Sequence, residues 1–367
     1  MSYLFSPIQL RSLTLDNRIV YSPMGQYMAE DDGTASDWHL IHLGMMSLSG
    51  AGLVFTEAAA VEPRGMHAPH GLALWTDRHE AALKRVIDSC RRYAPAKHAI
   101  QLWHVGRKGS VTDPWDGAKF IPPEQGGWPV VAASPVPFQG RTDIPVSPDE
   151  DGLDAIEASF VQAAQRAARI GYDVLELHCA HGYLLYSFLS PISNKRNDRW
   201  GGDIGGRMSF PLRVFKAVRE AWPEDRPMGV RVSATDWFPG GWTVEDATTF
   251  ARELKALGCD YLTPSSGGST PEQKIKMGPG YQADFAAAIR AGSGIATMAV
   301  GLINDARFAE YLVSTDKCDM VALGRGLVEN PRWPWDAAKV LEASVPHPKQ
   351  YMRGEKPVWR YSSATKR

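Results

Sequence analysis

Eight times between Arg18 and Ala343 a short apolar run of strand length gives way to an amphipathic stretch of helix length. That alternation limits the fold more than any other feature. Short apolar runs separated by helices read as buried parallel strands joined by crossover connections. The runs are Arg18–Met24, Ala51–Ala58, Ala99–His104, Tyr172–His178, Pro227–Ala234, Asp260–Gly267, Ile295–Gly301 and Asp319–Arg325. Helices are expected over Asp37–Gly50, Asp77–Tyr93, Ser147–Gly171, Phe210–Trp222, Thr243–Gly258 and Ala283–Ala291, then after Asn304, and over Trp335–Ala343. Ser147 with Glu150 three residues on, and Pro148 between them, predicts a capping box with proline at the first helical position. Eight such units predict a closed (β/α)8 barrel. An open doubly wound sheet is the rival, but it has no reason for eight regular repeats. Residues 1–16 alternate in hydrophobicity and read as a hairpin preceding the barrel. No linker or low-complexity segment interrupts the pattern, so residues 1–345 form one domain and 346–367 a C-terminal tail.

Composition narrows the function. Hydrophobic residues make up 44% of the chain, enough for a core of this size, and the formal net charge is −1. A near-neutral chain has no general attraction for nucleic acid or for an anionic membrane. No apolar run reaches the ~18 residues of a spanning helix. The start, MSYLFSPIQLRSL, lacks the basic and apolar regions of a signal peptide. Cys90, Cys179, Cys259 and Cys318 are scattered without metal-binding spacing, which suits a reducing compartment. The expectation is a soluble, cytoplasmic protein.

Function in parallel α/β folds sits at the carboxyl ends of strands. The fourth run ends in His178, His181 and Tyr183 and continues into a polar loop. The seventh and eighth end in Val300-Gly301 and Leu323-Gly324-Arg325-Gly326. Glycines there let backbone N–H groups approach a phosphate, and an arginine adds charge. Arg231 and Gln101 stand inside the fifth and third runs. A buried guanidinium demands an anionic or acceptor-rich partner. A flavin ring meets that demand, and so does a structural ion pair with Glu57 or Glu176. His178 and His181 alone are also compatible with a zinc pair, although no third ligand follows at a fixed spacing. The Pro-, Gly- and Trp-rich segment 105–146 is too long for a simple connection and is expected to be functional.

Several motifs together resemble the Old Yellow Enzyme family of FMN-dependent ene-reductases: HCAHGYLLYSFLSPISNKRNDRWGG, SPMGQY (Ser22–Tyr27), TEA (Thr56–Ala58), QLWHVGRK (Gln101–Lys108), VRVSATD, SSGG, AVGLI and ALGRGLVENP. The His178/His181 pair, Tyr27 and the tail QYMRG look most like its thermophilic-like bacterial subclass. The resemblance implies an FMN-binding barrel reduced by NADPH or NADH. Pro23, Met24, Gly25 and Ala58 would lie against the flavin ring, Gln101 and Arg231 at its pyrimidine edge, and Gly301, Gly324 and Arg325 at its phosphate. His178 and His181 would bind the oxygen of an enone or nitro substrate, and Tyr183 would deliver a proton. Tyr27 and Trp103 would shape the pocket, with core packing as their alternative. Arg353 would reach a neighbouring subunit's site in a homodimer or homotetramer. No metal is implied. Dehydrogenases of the trimethylamine type add an iron–sulfur cysteine cluster that this chain lacks, and a non-redox flavin carrier would need neither Tyr183 nor the histidine pair. Two positions depart from the family pattern: Gly25 replaces a cysteine, and Gly206 an asparagine.

Overall fold

A computed structural model describes residues 2–138 and 141–354, with side chains to residue 351. The hairpin comes first, as β1 (Ile8–Leu10) and β2 (Leu13–Leu15). The barrel strands follow: β3 (Ile19–Tyr21), β4 (Leu53–Ala60), β5 (Lys97–Trp103), β6 (Val174–Cys179), β7 (Met228–Ser233), β8 (Tyr261–Ser265), β9 (Ala296–Ala299) and β10 (Met320–Leu323). They close in that order, with β10 returning to pair with β3 in parallel through Val321 and Ile19. The helices are α1 (Asp37–Ser47), α2 (Asp77–Tyr93), α3 (Glu150–Ile170), α4 (Leu184–Leu189), α5 (Ile204–Ala221), α6 (Val244–Ala256), α7 (Ala283–Ser293), α8 (Ala306–Ser314), α9 (Arg325–Glu329) and α10 (Trp333–Val340). The chain is therefore a (β/α)8 barrel with an N-terminal hairpin, as expected from the eight repeats.

Alternation along each strand sorts the interior into layers. Leu10 and Leu15 of the hairpin pack with Val20, Leu53, Phe55, Ala99, Val174, Tyr261, Met298 and Met320 to make an apolar floor. Two residues further along, Gln101, Glu176 and Thr263 form a polar layer: Gln101 Nε2 donates to Glu176 Oε1 at 2.7 Å and Thr263 Oγ1 to Oε2 at 2.6 Å. Two residues further again lie Trp103, His178 and Ser265. A separate, larger apolar cluster fills the space between strands and helices.

Strand β4 breaks the alternation. Its register against β5 shifts between Thr56 and Ala58, the signature of an irregularity that turns one side chain aside. Glu57 accordingly bonds His39 Nε2 on α1 at 3.2 Å and the Gln26 N–H at 2.8 Å.

Three local expectations are corrected. Helix α3 is capped by Asp149, whose carboxylate accepts the Gly152 N–H at 3.0 Å, while the Ser147 hydroxyl donates to the Ala133 carbonyl instead. Pro148 therefore precedes the cap. Helix α5 starts at Ile204 rather than near Phe210, with Asp203 as its cap and Pro211 inside its first turns. The chain does not pass directly from Tyr183 into a polar loop: Leu184–Leu189 form a short, wholly buried helix. Its residues are apolar or hydroxylic at every position, so amphipathic periodicity is absent.

Gly206 also finds its reason. A Cβ there would stand 2.0 Å from the Gly201 carbonyl oxygen, so the turn before α5 packs against bare backbone. Gly229 serves the interior in the same way, since its Cβ would lie 2.2 Å from the Tyr261 ring. Gly229→Ala is expected to lower stability by about 1–3 kcal/mol through overpacking, measured by urea denaturation of the holoenzyme. An unchanged midpoint would mean that the ring moves freely.

Candidate active site

The carboxyl end of β6 and the turn after it carry three of the expected groups. His178 ends the polar face of the strand, and its Nδ1 accepts the Ala180 N–H at 3.2 Å. His181 takes a positive φ of 60°, unusual outside glycine. Its N–H donates to Ser233 Oγ at 2.9 Å, and its carbonyl accepts from Lys108 Nζ at 2.9 Å. The two bonds hold a backbone shape that brings His181 Nδ1 to 3.3 Å from His178 Nε2. Tyr183 occupies the cap position before α4, with its ring edge-on to Trp103 at 4.9 Å and to His178 at 4.8 Å.

Electrostatics set the protonation of these groups. Burial, with help from Arg231 and Lys108, depresses both imidazoles well below the usual histidine value; for His181 the His178 ring adds to the effect. They are neutral at physiological pH. Burial pushes the Tyr183 phenol up to about 12, with Arg231 opposing. Lys108 lies 5.1 Å over the Tyr183 ring, and burial lowers its ammonium to about 8.

A cavity of about 280 Å³ opens beside the histidines. Its wall includes Ser22, Pro23, Met24, His181, Arg231, Gly301, Gly324 and Arg325, so the structure brings most of the expected cofactor residues to one place. Arg231 Nη1 donates to Ser22 Oγ at 3.1 Å, while the buried Nε has no hydrogen-bond partner among the described residues. Of its two candidate carboxylates, Glu176 faces it from the polar layer and steadies its charge. Gly301 has a φ of 116°. A Cβ on Gly324 would lie 2.8 Å from Met24 Sδ, and one on Gly326 2.5 Å from Asn304 Oδ1. Strand ends β9 and β10 thus offer bare backbone.

The remaining expected residues lie around that cavity. Ala58 and Trp103 pack in one cluster with Tyr183 on its flank. Gln101 sits a layer lower, its amide on Glu176. Gly25 lies under Tyr27, whose Cε2 would be 2.9 Å from a Cβ at that position. Tyr27 has a φ of 49° and bonds His67 Nδ1 through its hydroxyl at 3.1 Å. Arg353 falls in the turn Lys349–Gly354, and its side chain is outside the described residues. Among the described residues no group of three His, Cys, Asp or Glu side chains is arranged to hold a metal, and no helix is long and apolar enough to cross a membrane.

Sequence reading passed over Gln282, which lines the cavity, and His67, which bonds Tyr27. It quoted Lys108 and Ser265 inside motifs without giving them a role. Lys108 carried a usable signal, a lysine in the short turn that follows a barrel strand. Gln282, on the turn before α7, carried none.

Residues 3–344 match the profile of the NADH:flavin oxidoreductase / NADH oxidase family. An NADPH dehydrogenase of Listeria innocua is 42% identical over 357 residues, 97% of this chain and 100% of that protein. One from Geobacillus thermodenitrificans is 40% identical over 359 residues, 98% and 99% of the two chains. Morphinone reductase in complex with tetrahydroNAD superposes with a TM-score of 0.77 at 29% identity, covering 94% of this chain and 92% of that one. The site suits the family's cofactor: the unpartnered Arg231 Nε and the glycine-lined wall are a donor and a cradle of the kinds that a flavin and its phosphate require. The chain belongs to this family, the Old Yellow Enzymes, and is an FMN-containing oxidoreductase that takes its electrons from a nicotinamide.

Proposed function

We propose that the enzyme reduces activated C=C bonds of α,β-unsaturated carbonyl or nitro compounds. The observation that carries this reading is the pair of neutral imidazole nitrogens 3.3 Å apart beside a buried phenol. Two N–H groups converging on one oxygen stabilise the charge that develops there when a conjugated double bond is attacked. A neutral phenol on the same wall holds the proton that the other carbon needs. Reduced FMN, when bound, supplies the hydride from N5.

In this reading Pro23, Met24, Gly25 and Ala58 line the flavin ring and Gln101 and Arg231 its pyrimidine edge. Gly301, Gly324 and Arg325 hold the phosphate. His178 and His181 bind the substrate oxygen, and Tyr183 protonates the carbon next to the activating group. Tyr27 and Trp103 bound the pocket. The reading extends to a thermophilic-like homodimer or homotetramer in which the tail, residues 346–367, brings Arg353 to a neighbour's site, and to a cytoplasmic location.

Tyr183→Phe is expected to slow reoxidation of the flavin by cyclohexenone about 10²–10⁴-fold, while NADPH bleaches the flavin at the wild-type rate. Stopped-flow measurement of each half-reaction checks this, and an unchanged reoxidation rate removes the role of Tyr183. The pH profile of the same step follows from the ionisations. The imidazoles have lowered values and the phenol a raised one of about 12, so all three keep their neutral forms across neutrality. The profile is therefore expected to show no limb near the ordinary histidine value of ~6.5. Lys108, at about 8, loses its charge as pH rises, so any limb there should vanish in Lys108→Met.

Gly25→Cys is expected to push the Tyr27 ring aside, change the enone KM several-fold and shift the flavin midpoint potential. Steady-state kinetics and a redox titration read these effects, and the absence of both would separate Gly25 from the site.

A further inference from the structure

We propose that Ser265 is a positioning residue that sets the tautomer of His181, with its hydroxyl turning from Gln282 to the His181 ring when a substrate oxygen enters. The inference rests on the role of the two histidines proposed above.

The argument follows the hydrogens. A backbone N–H can only donate, so the Ala180 N–H bond makes His178 Nδ1 an acceptor. In a neutral ring the proton is then on Nε2. That N–H meets His181 Nδ1 at 3.3 Å, which must accept. His181 therefore carries its own proton on Nε2, and this donates to Ser265 Oγ at 2.7 Å. The Ser265 hydroxyl points onward to Gln282 Oε1 at 3.3 Å. Without ligand, all hydrogens run one way, from Ala180 to Gln282.

A substrate oxygen between the rings requires the opposite arrangement at His181. Both His178 Nε2 and His181 Nδ1 must donate, so His181 Nε2 becomes an acceptor. Burial and the cations Arg231 and Lys108 keep the ring from simply taking a second proton. The change is a shift within one neutral ring: Nδ1 gains a proton from solvent as Nε2 releases one, and the net charge stays the same. Nε2 then needs a donor, and Ser265 Oγ already stands 2.7 Å away. Turning its hydroxyl costs Gln282 only the longer of two bonds, because Ser266 Oγ also donates to Oε1, at 2.7 Å. Ser265 can serve both tautomers because a hydroxyl accepts and donates. Alanine can do neither.

The test is nitrogen NMR of the histidine-labelled holoenzyme, alone and saturated with cyclohexanone, whose carbonyl oxygen can only accept and which has no alkene to reduce. In the free enzyme His181 is expected to be protonated at Nε2. With the ketone the proton should move to Nδ1, while His178 stays protonated at Nε2. Ser265→Ala should abolish the move and raise the enone KM about tenfold, as loss of one buried hydrogen bond predicts, with flavin bleaching by NADPH unchanged. Ser265→Thr should restore both. A His181 tautomer that is the same with and without ketone, or that switches normally in Ser265→Ala, overturns the inference. Should Ser265→Ala fail to fold, the wild-type spectra decide alone. A protein that switches tautomer but leaves cyclohexenone untouched keeps the role of Ser265 and loses the proposed substrate class. Turnover of cyclohexenone without a switch does the reverse.

Discussion

A guanidinium set inside the mouth of a barrel dictates much of what surrounds it. Arg231 shares its level of the lumen with His178, its register partner on β6, and looks down on the Glu176 carboxylate. A charge in that position costs several kcal/mol unless it is answered. Glu176 answers it from below, and itself needs Gln101 and Thr263 to satisfy its oxygens. The result is a polar layer contributed by β5, β6 and β8, lying directly on an apolar floor. From above, the answer is incomplete, since Nε has no hydrogen-bond partner among the described residues. Burial keeps the nearby imidazoles neutral and raises the phenol; the Arg231 charge adds to the first effect and opposes the second.

The features that could be read from the chain are those with a period or a position. Eight apolar runs separated by amphipathic stretches imply closure, and closure places every strand end on one rim. His178, Gly301 and Gly324 could therefore be assigned to one face before any coordinates, and Arg231 could be recognised as a charge in an apolar strand. What escaped was set by irregularity. The slip between Thr56 and Ala58 is one residue in an otherwise regular strand, and nothing in TEA announces it. Yet it decides that Glu57 serves His39 and that Glu176 alone faces Arg231. Helix α4 escaped because a fully buried short helix has no polar face to set its period. The cap of α3 was misread because Ser147, Asp149 and Glu150 all suit the region, and only the tertiary bond from Ser147 to Ala133 removes the serine from the competition.

Hydrogen-bond direction lies further from sequence still. Ser265 occupies an ordinary inward position on β8, and serine there has many uses. Its significance comes from His181 in the turn after β6, whose backbone sits at positive φ, held by Ser233 and Lys108. Strain of that kind persists where several bonds agree on it. Here the segments after β5 and β6 and the last residue of β7 together fix one imidazole to within hydrogen-bond reach of another.

Glu57 shows how far from the cavity such control can begin. Its carboxylate bridges His39 on the first helix and the N–H of Gln26, directly after Gly25. The exit of β3 is thereby tied to α1 rather than left to its own loop. Gly25 has no side chain with which to resist displacement, and Tyr27 fills the space above it from a left-handed backbone that its hydroxyl bond to His67 helps to hold. The ring over Gly25 is thus positioned from two sides. The wall of the cavity at β3 is therefore made by packing and by a remote carboxylate, and its shape depends on Glu57, His39 and His67 as much as on the residues of the strand itself.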